Sequence, residues 1–163
     1  MKNILLFILL SVFVFASGCK RQDVKPNSII TDNTEIVNFT DEPLARKDSS
    51  VDNNLKTIYF AFDKSELTNE AKETSQKNVT YLISNPELKI ILEGHTDNRG
   101  TIEYNLSLGQ RRALKVKEYY VHLGIAANRI ATISYGREKP VDVCNNEVAW
   151  AKNRRTETKT LMR

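Results

Sequence analysis

The sequence has few of the residues that build metal centres, disulfide frameworks and nucleophilic sites. It contains two histidines, two cysteines, six glycines and four prolines in 163 residues. His95 and His122 form no glutamate–histidine cluster at zinc-ligand spacing, and the cysteines have no zinc-finger spacing. Neither histidine adjoins Cys144, so nothing beside that thiol in the sequence activates it as a nucleophile. We therefore predict no catalytic residue, no metal site and no cofactor.

The charge balance is also modest. The formal net charge is +4, and charged residues make up 27% of the chain. Basic residues are interspersed with acidic ones, and no basic stretch carries the aromatic residues that would stack on bases. This excludes nucleic acid as a favoured partner and leaves a weak preference for an anionic polymer. The length suits one domain with a modest core.

One long apolar run is present, from Ile4 to Ala16 with Ser11 as its one polar residue, and it follows the positive charge of Lys2. A membrane-spanning helix needs about 20 apolar residues, so the run is too short to cross a bilayer. Its layout is typical of a secretory signal peptide, and small residues at positions 16–18 precede Cys19. We predict a signal peptide over residues 1–18.

The sequence around Cys19 resembles the bacterial lipoprotein box, although alanine occupies position 16, where leucine is usual. The resemblance implies that Cys19 becomes a lipidated N-terminus, which leaves Cys144 without an intrachain partner. Each buried acyl CH₂ contributes about 0.8 kcal/mol, so several chains hold a protein at a membrane. Lys20 stands where aspartate is typical of inner-membrane retention, which implies the outer membrane. An ordinary signal peptide with an unmodified cysteine is the alternative.

Residues 20–54 are rich in aspartate, asparagine, serine, threonine and lysine and include Pro26 and Pro43. Their short apolar pairs show no sustained period, so we predict a flexible tether over residues 19–54, beginning at the lipidated cysteine. Such a chain spans roughly 30–35 Å on average and at most about 115 Å. The tether would let a domain formed by residues 55–163 reach a polymer away from the membrane.

From Leu55 onward, strand and helix patterns alternate. The predicted strands cover residues 55–62, 88–93, 129–135 and 155–161, and the predicted helices cover 68–84, a segment between Gly100 and Gly124, and 147–152. The predicted core residues of the two longer helices are Leu67, Ala71, Val79, Leu82 and Ile83, and Leu106, Ala113, Val116, Tyr120 and Leu123. Alternating elements of this kind indicate an α/β fold, in which helices cover a sheet.

Five segments of this region resemble motifs of the peptidoglycan-associated lipoproteins, a branch of the OmpA-like family. They are FAFDKS at 60–65, EGHTDNRG at 93–100, EYNLSLGQRRA at 103–113, SYGREKP at 134–140 and KNRR at 152–155. The resemblance implies an α+β sandwich of βαβαβ(α)β order with a mixed four-stranded sheet. It also implies a lipid-anchored outer-membrane protein that faces the periplasm and binds peptidoglycan non-covalently.

The resemblance further assigns residues to one stem-peptide residue, meso-diaminopimelate, whose side chain ends in an ammonium and a carboxylate. Asp97 resembles the family's anion for the ammonium, and Arg112 resembles its cation for the carboxylate. Arginine suits that role because its planar donors meet both oxygens. The other residues implied at the ligand are Phe62, Asp63, Thr96, Asn105 and Leu108. The main-chain amides near Thr96 and Leu108 are further candidate donors.

Several simpler interpretations stay open. Taken alone, Asp97 is ordinarily a turn former, Phe62 is ordinarily core, and Arg111 belongs to a solvated helix face. Residues 153–155 fit the rim of a site, but we favour helix termination and surface pairing. His95 is expected to form a hydrogen bond within its loop.

Three alternative functions compete with the proposed wall anchor. A peptidoglycan hydrolase would have His95 and Asp97 as its nucleus, but no nucleophile or metal accompanies them. A flagellar stator-type protein shares the domain but requires a true membrane-spanning helix. A general OmpA-like wall anchor would act outside a Tol system, whereas the family implies TolB and other Tol proteins as partners. We expect a stoichiometric anchor without turnover.

Overall fold

The structure is a computed structural model, and it describes residues 49–161. The elements in chain order are β1 (Ser49–Ser50), β2 (Ile58–Tyr59), α1 (Asn69–Ser84), β3 (Ile90–His95), α2 (Ile102–His122), a 3₁₀ turn (Ala127–Arg129), β4 (Ile130–Gly136), α3 (Glu147–Asn153) and β5 (Arg155–Leu161). Within this range no helix has the length and apolar character needed to span a bilayer. The predicted signal peptide, the lipidation at Cys19 and most of the predicted tether lie outside the described residues.

Side-chain caps explain where the three helices begin. Thr68 accepts a hydrogen bond from the amide of Ala71, and Thr101 accepts one from the amide of Tyr104. Asn146 caps α3 in the same way. These side chains satisfy amides that have no partner inside the helix. After α2, Gly124 takes a φ of +104°, a conformation that favours glycine and reverses the chain.

The strands form one mixed sheet in the order β1-β5-β3-β4, with β2 also paired to β5. Strands β3 and β4 are parallel, and β5 is antiparallel to its neighbours β1, β2 and β3. Helices pack on this sheet, so the predicted fold class is confirmed. The sheet has one strand more than the four predicted, because Ser49 and Ser50 pair with Leu161 and Thr160. These two serines fall within the segment predicted to be tether.

The predicted strand over residues 55–62 was too long, since only Ile58 and Tyr59 pair with β5. One further backbone contact follows this pairing, because the amide of Phe60 donates to the carbonyl of Arg154, just before β5, at 2.9 Å. The chain then turns through Asp63, which has a φ of +57°. This turn carries the chain out of the sheet and toward the N-terminal half of α2.

The hydrophobic core lies between the sheet and helices α1 and α2. Two predicted core residues are wrong: Ile83 is 57% exposed and Leu106 is 38% exposed. Ile83 follows the fully buried Leu82, and a helix turns the next side chain away from the core. In α2 the inward position beside Leu106 belongs to Asn105. In its N-terminal half the buried side of α2 therefore carries the polar side chains of Asn105 and Arg112 beside Leu108 and Gly109, and beyond Arg112 it is mainly apolar. We call this N-terminal part the polar half of α2.

Two glycines let α2 approach β3 closely. A Cβ atom on Gly94 would lie 2.0 Å from the carbonyl oxygen of Gly109, which no side chain tolerates. Backbone therefore packs directly on backbone at this crossing. The contact places the loop that follows β3 against the polar half of α2.

Candidate ligand-binding site

A cavity of about 220 Å³ lies where the loop after β3, the turn after β2 and the polar half of α2 meet. Its lining residues are Phe62, Asp63, Thr96, Asp97, Arg99, Gly100, Tyr104, Asn105, Leu108 and Arg112. All seven residues predicted to bind peptidoglycan thus line one cavity, together with three that were not predicted to bind it. Their role in binding stays a prediction.

Asp97 is buried at this cavity and is held by two arginines. Its Oδ2 accepts a hydrogen bond from Arg99 Nη2 at 2.7 Å and a longer one from Arg154 Nη1 at 3.5 Å. Its Oδ1 accepts one from the Arg99 amide at 3.2 Å. Burial alone would raise the pKa of Asp97, but the hydrogen bonds from Arg99 outweigh burial and lower that pKa below its ordinary value. The carboxylate is therefore ionised at neutral pH.

Arg112 is fully buried and is fixed by backbone carbonyls. Its Nε donates to Lys64 at 2.8 Å, Nη1 donates to His95 at 2.8 Å, and Nη2 donates to Ala61 at 3.2 Å. Within residues 49–161 no carboxylate forms a salt bridge with it. Burial lowers its pKa to about 10, so the guanidinium stays charged at neutral pH. Three of its five N–H groups are used, and two remain for a ligand.

Arg99 closes one side of the cavity. Its guanidinium carbon lies 3.9 Å from the centre of the Phe62 ring and 4.0 Å from that of Trp150, so two aromatic faces enclose the cation. Phe62 is 54% exposed and stacks on Arg99, so it is not the core residue that the simpler interpretation made of it. The site therefore combines fixed charges with an aromatic wall.

A sequence model of the OmpA family matches residues 59–154. The chain belongs to the OmpA family. Its curated relatives include the peptidoglycan-associated lipoprotein of Haemophilus influenzae, with 46% identity over 99 residues, covering 61% of this chain and 65% of the relative. The Brucella melitensis protein of the same name is 45% identical over 101 residues, covering 62% and 60%. The chain thus spans less than two thirds of the length of these relatives.

Solved structures agree with this membership. The peptidoglycan-associated lipoprotein from Burkholderia pseudomallei matches with a TM-score of 0.62 and 36% identity, over 76% of this chain and 97% of that one. The C-terminal domain of Helicobacter pylori MotB matches with a TM-score of 0.62 and 17% identity, over 66% and 85%. The second likeness concerns the fold alone. The resemblance seen in the sequence motifs is confirmed.

The prediction of surface pairing for residues 153–155 is wrong, since all three are buried. Arg154 contacts Asp97 at the cavity and also donates to Glu147 Oε1 at 2.6 Å and to the Phe60 carbonyl at 3.1 Å. Asn153 accepts from the amide of Val141 at 2.8 Å. These residues are interior because α3 ends directly at the start of β5, and no periodicity in so short a segment indicates which side faces inward.

The main-chain amides of Thr96 and Leu108 themselves are used within the fold, and the suggestion of donors among the amides near them stays a prediction. The Thr96 amide donates to the Gly136 carbonyl at 2.9 Å, and the Leu108 amide lies inside α2, where the helix uses it. Asn105 donates to the carbonyls of Arg99 at 2.8 Å and Thr101 at 3.0 Å. Asn105 therefore holds the loop in position, while Thr96 and Leu108 shape the cavity.

Asp63 stands at the mouth of the cavity and accepts a hydrogen bond from the Tyr104 hydroxyl. Its positive φ is uncommon for a residue with a side chain. The turn around Asp63 presents the carbonyls of Ala61 and Lys64, both of which bind Arg112. Asp63 thus helps to fix the orientation of Arg112.

His95 does not support a hydrolase. The ring is 1% exposed, and neither nitrogen has a hydrogen-bond partner within residues 49–161, so the predicted loop hydrogen bond is wrong. The ring stacks on Tyr135, with 5.6 Å between centroids, and does not line the cavity. Burial and the nearby Arg155 lower its pKa to about 3, which leaves the ring neutral. Asp97 therefore has no acid–base partner in His95.

Proposed function

We propose that this OmpA-family chain is an outer-membrane lipoprotein that binds peptidoglycan through the diaminopimelate residue of the stem peptide. The observation that carries the proposal is a fixed anion and a fixed cation, Asp97 and Arg112, at one cavity. Both ends of the ligand's zwitterionic side chain would then find an opposite charge. The names of the curated relatives support the same ligand class.

The unused hydrogen-bonding capacity of the two residues matches the ligand. Arg112 has two N–H groups left after binding three carbonyls, and two are what a bidentate carboxylate accepts. A carboxylate offers about four acceptor positions, and Asp97 uses three of them on Arg99 and Arg154. One position remains for the ligand's ammonium. Because both side chains are held before the ligand arrives, little ordering is needed on binding.

The predicted signal peptide and lipidated cysteine would determine where in the cell envelope the domain lies. Cleavage before Cys19 and acylation of that residue would anchor the chain in the outer membrane, and residues 19–48 would tether the domain in the periplasm. In this arrangement the chain joins membrane to wall by binding alone, without turnover. The family implies TolB as a partner in the Tol system, and capture of purified TolB by the full chain would test that role.

Sedimentation with isolated sacculi tests the wall-binding proposal. The full chain should co-sediment with diaminopimelate-containing sacculi, and Asp97→Asn and Arg112→Lys should remain in the supernatant. Arg111→Lys is the matched control, because Arg111 is the exposed neighbour on the same helix. Equal sedimentation of all four folded proteins would refute the assignment of these residues. Equal binding to lysine-type sacculi would refute the specificity for diaminopimelate.

A further inference from the structure

Three potential metal ligands meet on the sheet face that points away from α2. Glu93 and His95 lie on the same side of β3, because side chains two apart in a strand share a face. Glu157 on β5 is paired in register directly opposite Glu93. One ligand atom from each of these residues lies within 4.8 Å of the other two. The sequence hides this cluster, since more than 60 residues separate Glu157 from His95.

His95 is the second observation that points to a ligand. A buried polar side chain normally has a hydrogen-bond partner, yet both ring nitrogens lack one in the described part of the chain. A neutral imidazole carries a lone pair on one ring nitrogen, which can bind a metal ion. A fully buried imidazole that has no partner and lies beside two carboxylates is therefore a candidate ligand for a cation.

A cation already lies between the two carboxylates. The Lys159 ammonium is 2.7 Å from Glu93 Oε2 and 3.4 Å from Glu157 Oε2. The Lys159 side chain is 21% exposed, so it has a path to solvent. Arg155 Nε holds the other oxygen of Glu157 at 2.6 Å and orients that carboxylate. The position of the ammonium is thus one at which positive charge is stabilised.

We propose that Glu93, His95 and Glu157 bind one Zn²⁺ ion, which takes the place of the Lys159 ammonium. Two carboxylate oxygens and one imidazole nitrogen are typical zinc donors, and three protein ligands leave a fourth position for water. Ca²⁺ and Mg²⁺ require more ligands, all of them oxygen, so this site disfavours them. Bound Zn²⁺ would link β3 to β5 and stabilise the folded domain. The site goes beyond the proposed wall binding and lies outside that cavity.

Titration calorimetry of the full chain in detergent with ZnCl₂ tests the proposal. We expect one Zn²⁺ site, which Glu157→Gln weakens by at least about tenfold. Lys159→Met should instead strengthen binding by about tenfold, because the resident cation is gone. A residue that merely stabilised the fold would not produce this gain. MgCl₂ should neither bind at the site nor displace zinc.

Two exposed side chains provide matched controls. His122→Asn and Cys144→Ser remove other zinc-binding groups and should leave the dissociation constant unchanged. The ¹⁵N signals of the His95 ring report directly on the ligand and should shift when zinc binds to the wild-type chain. Zinc binding weaker than about 1 mM, or binding that is unaltered in either Glu157→Gln or Lys159→Met, would overturn the proposal. Loss of binding in either control variant would overturn it as well.

Discussion

The substitution Arg112→Lys separates charge from geometry at the candidate site. It keeps a cation at this position but replaces a planar guanidinium by an ammonium whose three donors share one nitrogen. The guanidinium reaches the carbonyls of Lys64, His95 and Ala61 at 2.8, 2.8 and 3.2 Å from three different nitrogens. One ammonium cannot reach all three and also meet both oxygens of a ligand carboxylate.

The expected magnitudes follow from counting these hydrogen bonds. A hydrogen bond to a charged group contributes about 1.5–3 kcal/mol, so losing one of the two ligand contacts should raise Kd roughly 10- to 150-fold. At least one buried carbonyl would also lose its donor, which destabilises the fold by about 1–3 kcal/mol. Both effects are predicted although the net charge is unchanged.

Two measurements check this prediction. Titration calorimetry with a soluble stem peptide that ends in meso-diaminopimelate gives Kd, and chemical denaturation gives the free energy of unfolding. The same substitution at the exposed neighbour, Arg111→Lys, should change neither quantity. A folded Arg112→Lys protein that bound the peptide within about twofold of wild type would refute the bidentate contact. An equal loss in Arg111→Lys would show that the effect is not local.

Four further predictions concern Asp97, His95, Gly94 and Cys19. Asp97→Asn should weaken stem-peptide binding by about 2–5 kcal/mol in the calorimetric assay, because it removes the anion that meets the ammonium. Burial lowers the pKa of His95 from 6.5 to about 3. Between these two pH values the His95 ring is protonated in the unfolded chain and neutral in the folded one. The free energy of unfolding should therefore decrease as the pH falls from 6.5 to 3, by at most about 1.4 kcal/mol per pH unit. In denaturant titrations, His95→Gln should show a smaller dependence of this free energy on pH. Gly94→Ala should destabilise the domain by about 3 kcal/mol or more, measured by thermal unfolding, because its Cβ would lie 2.0 Å from the Gly109 carbonyl. Mass spectrometry of the mature N-terminus should find acyl chains on Cys19, and an intact Met1 would contradict the predicted anchor.

The helices and the longer strands were predictable because local signals mark them. Thr68 and Asn146 are N-cap residues that stand immediately before helical patterns, and β5 was predicted with its observed bounds. The short strand at Ser49–Ser50 carries no pattern of its own and exists only because β5 has a free edge there. Leu106 was misplaced because α2 has a polar inward side at that point, which a search for apolar periodicity cannot find.

Site residues were predictable where a sequence motif assigns their role. Roles that depend on contacts between distant segments were not. Asp97 and Arg112 came from family resemblance, and the structure brings them to one cavity. Arg99 lay inside a recognised motif, but its enclosure by Phe62 and Trp150 depends on three segments far apart in sequence. Arg154 also lay inside a recognised motif, and its segment fitted the rim of a site, but its burial follows from the abrupt passage from α3 to β5, which no local pattern indicates.

The position of β5 has a consequence for how the domain is made. This strand is the last along the described chain, yet it pairs with β1, β2 and β3. During synthesis the earlier strands are made before β5 is available, so β3 keeps one edge unpaired until β5 has been made. A chain cut short before Arg155 would never complete the sheet and would present that edge to chaperones and proteases. The sheet of this domain is therefore completed as a single late event, after the last strand of the described residues has been made.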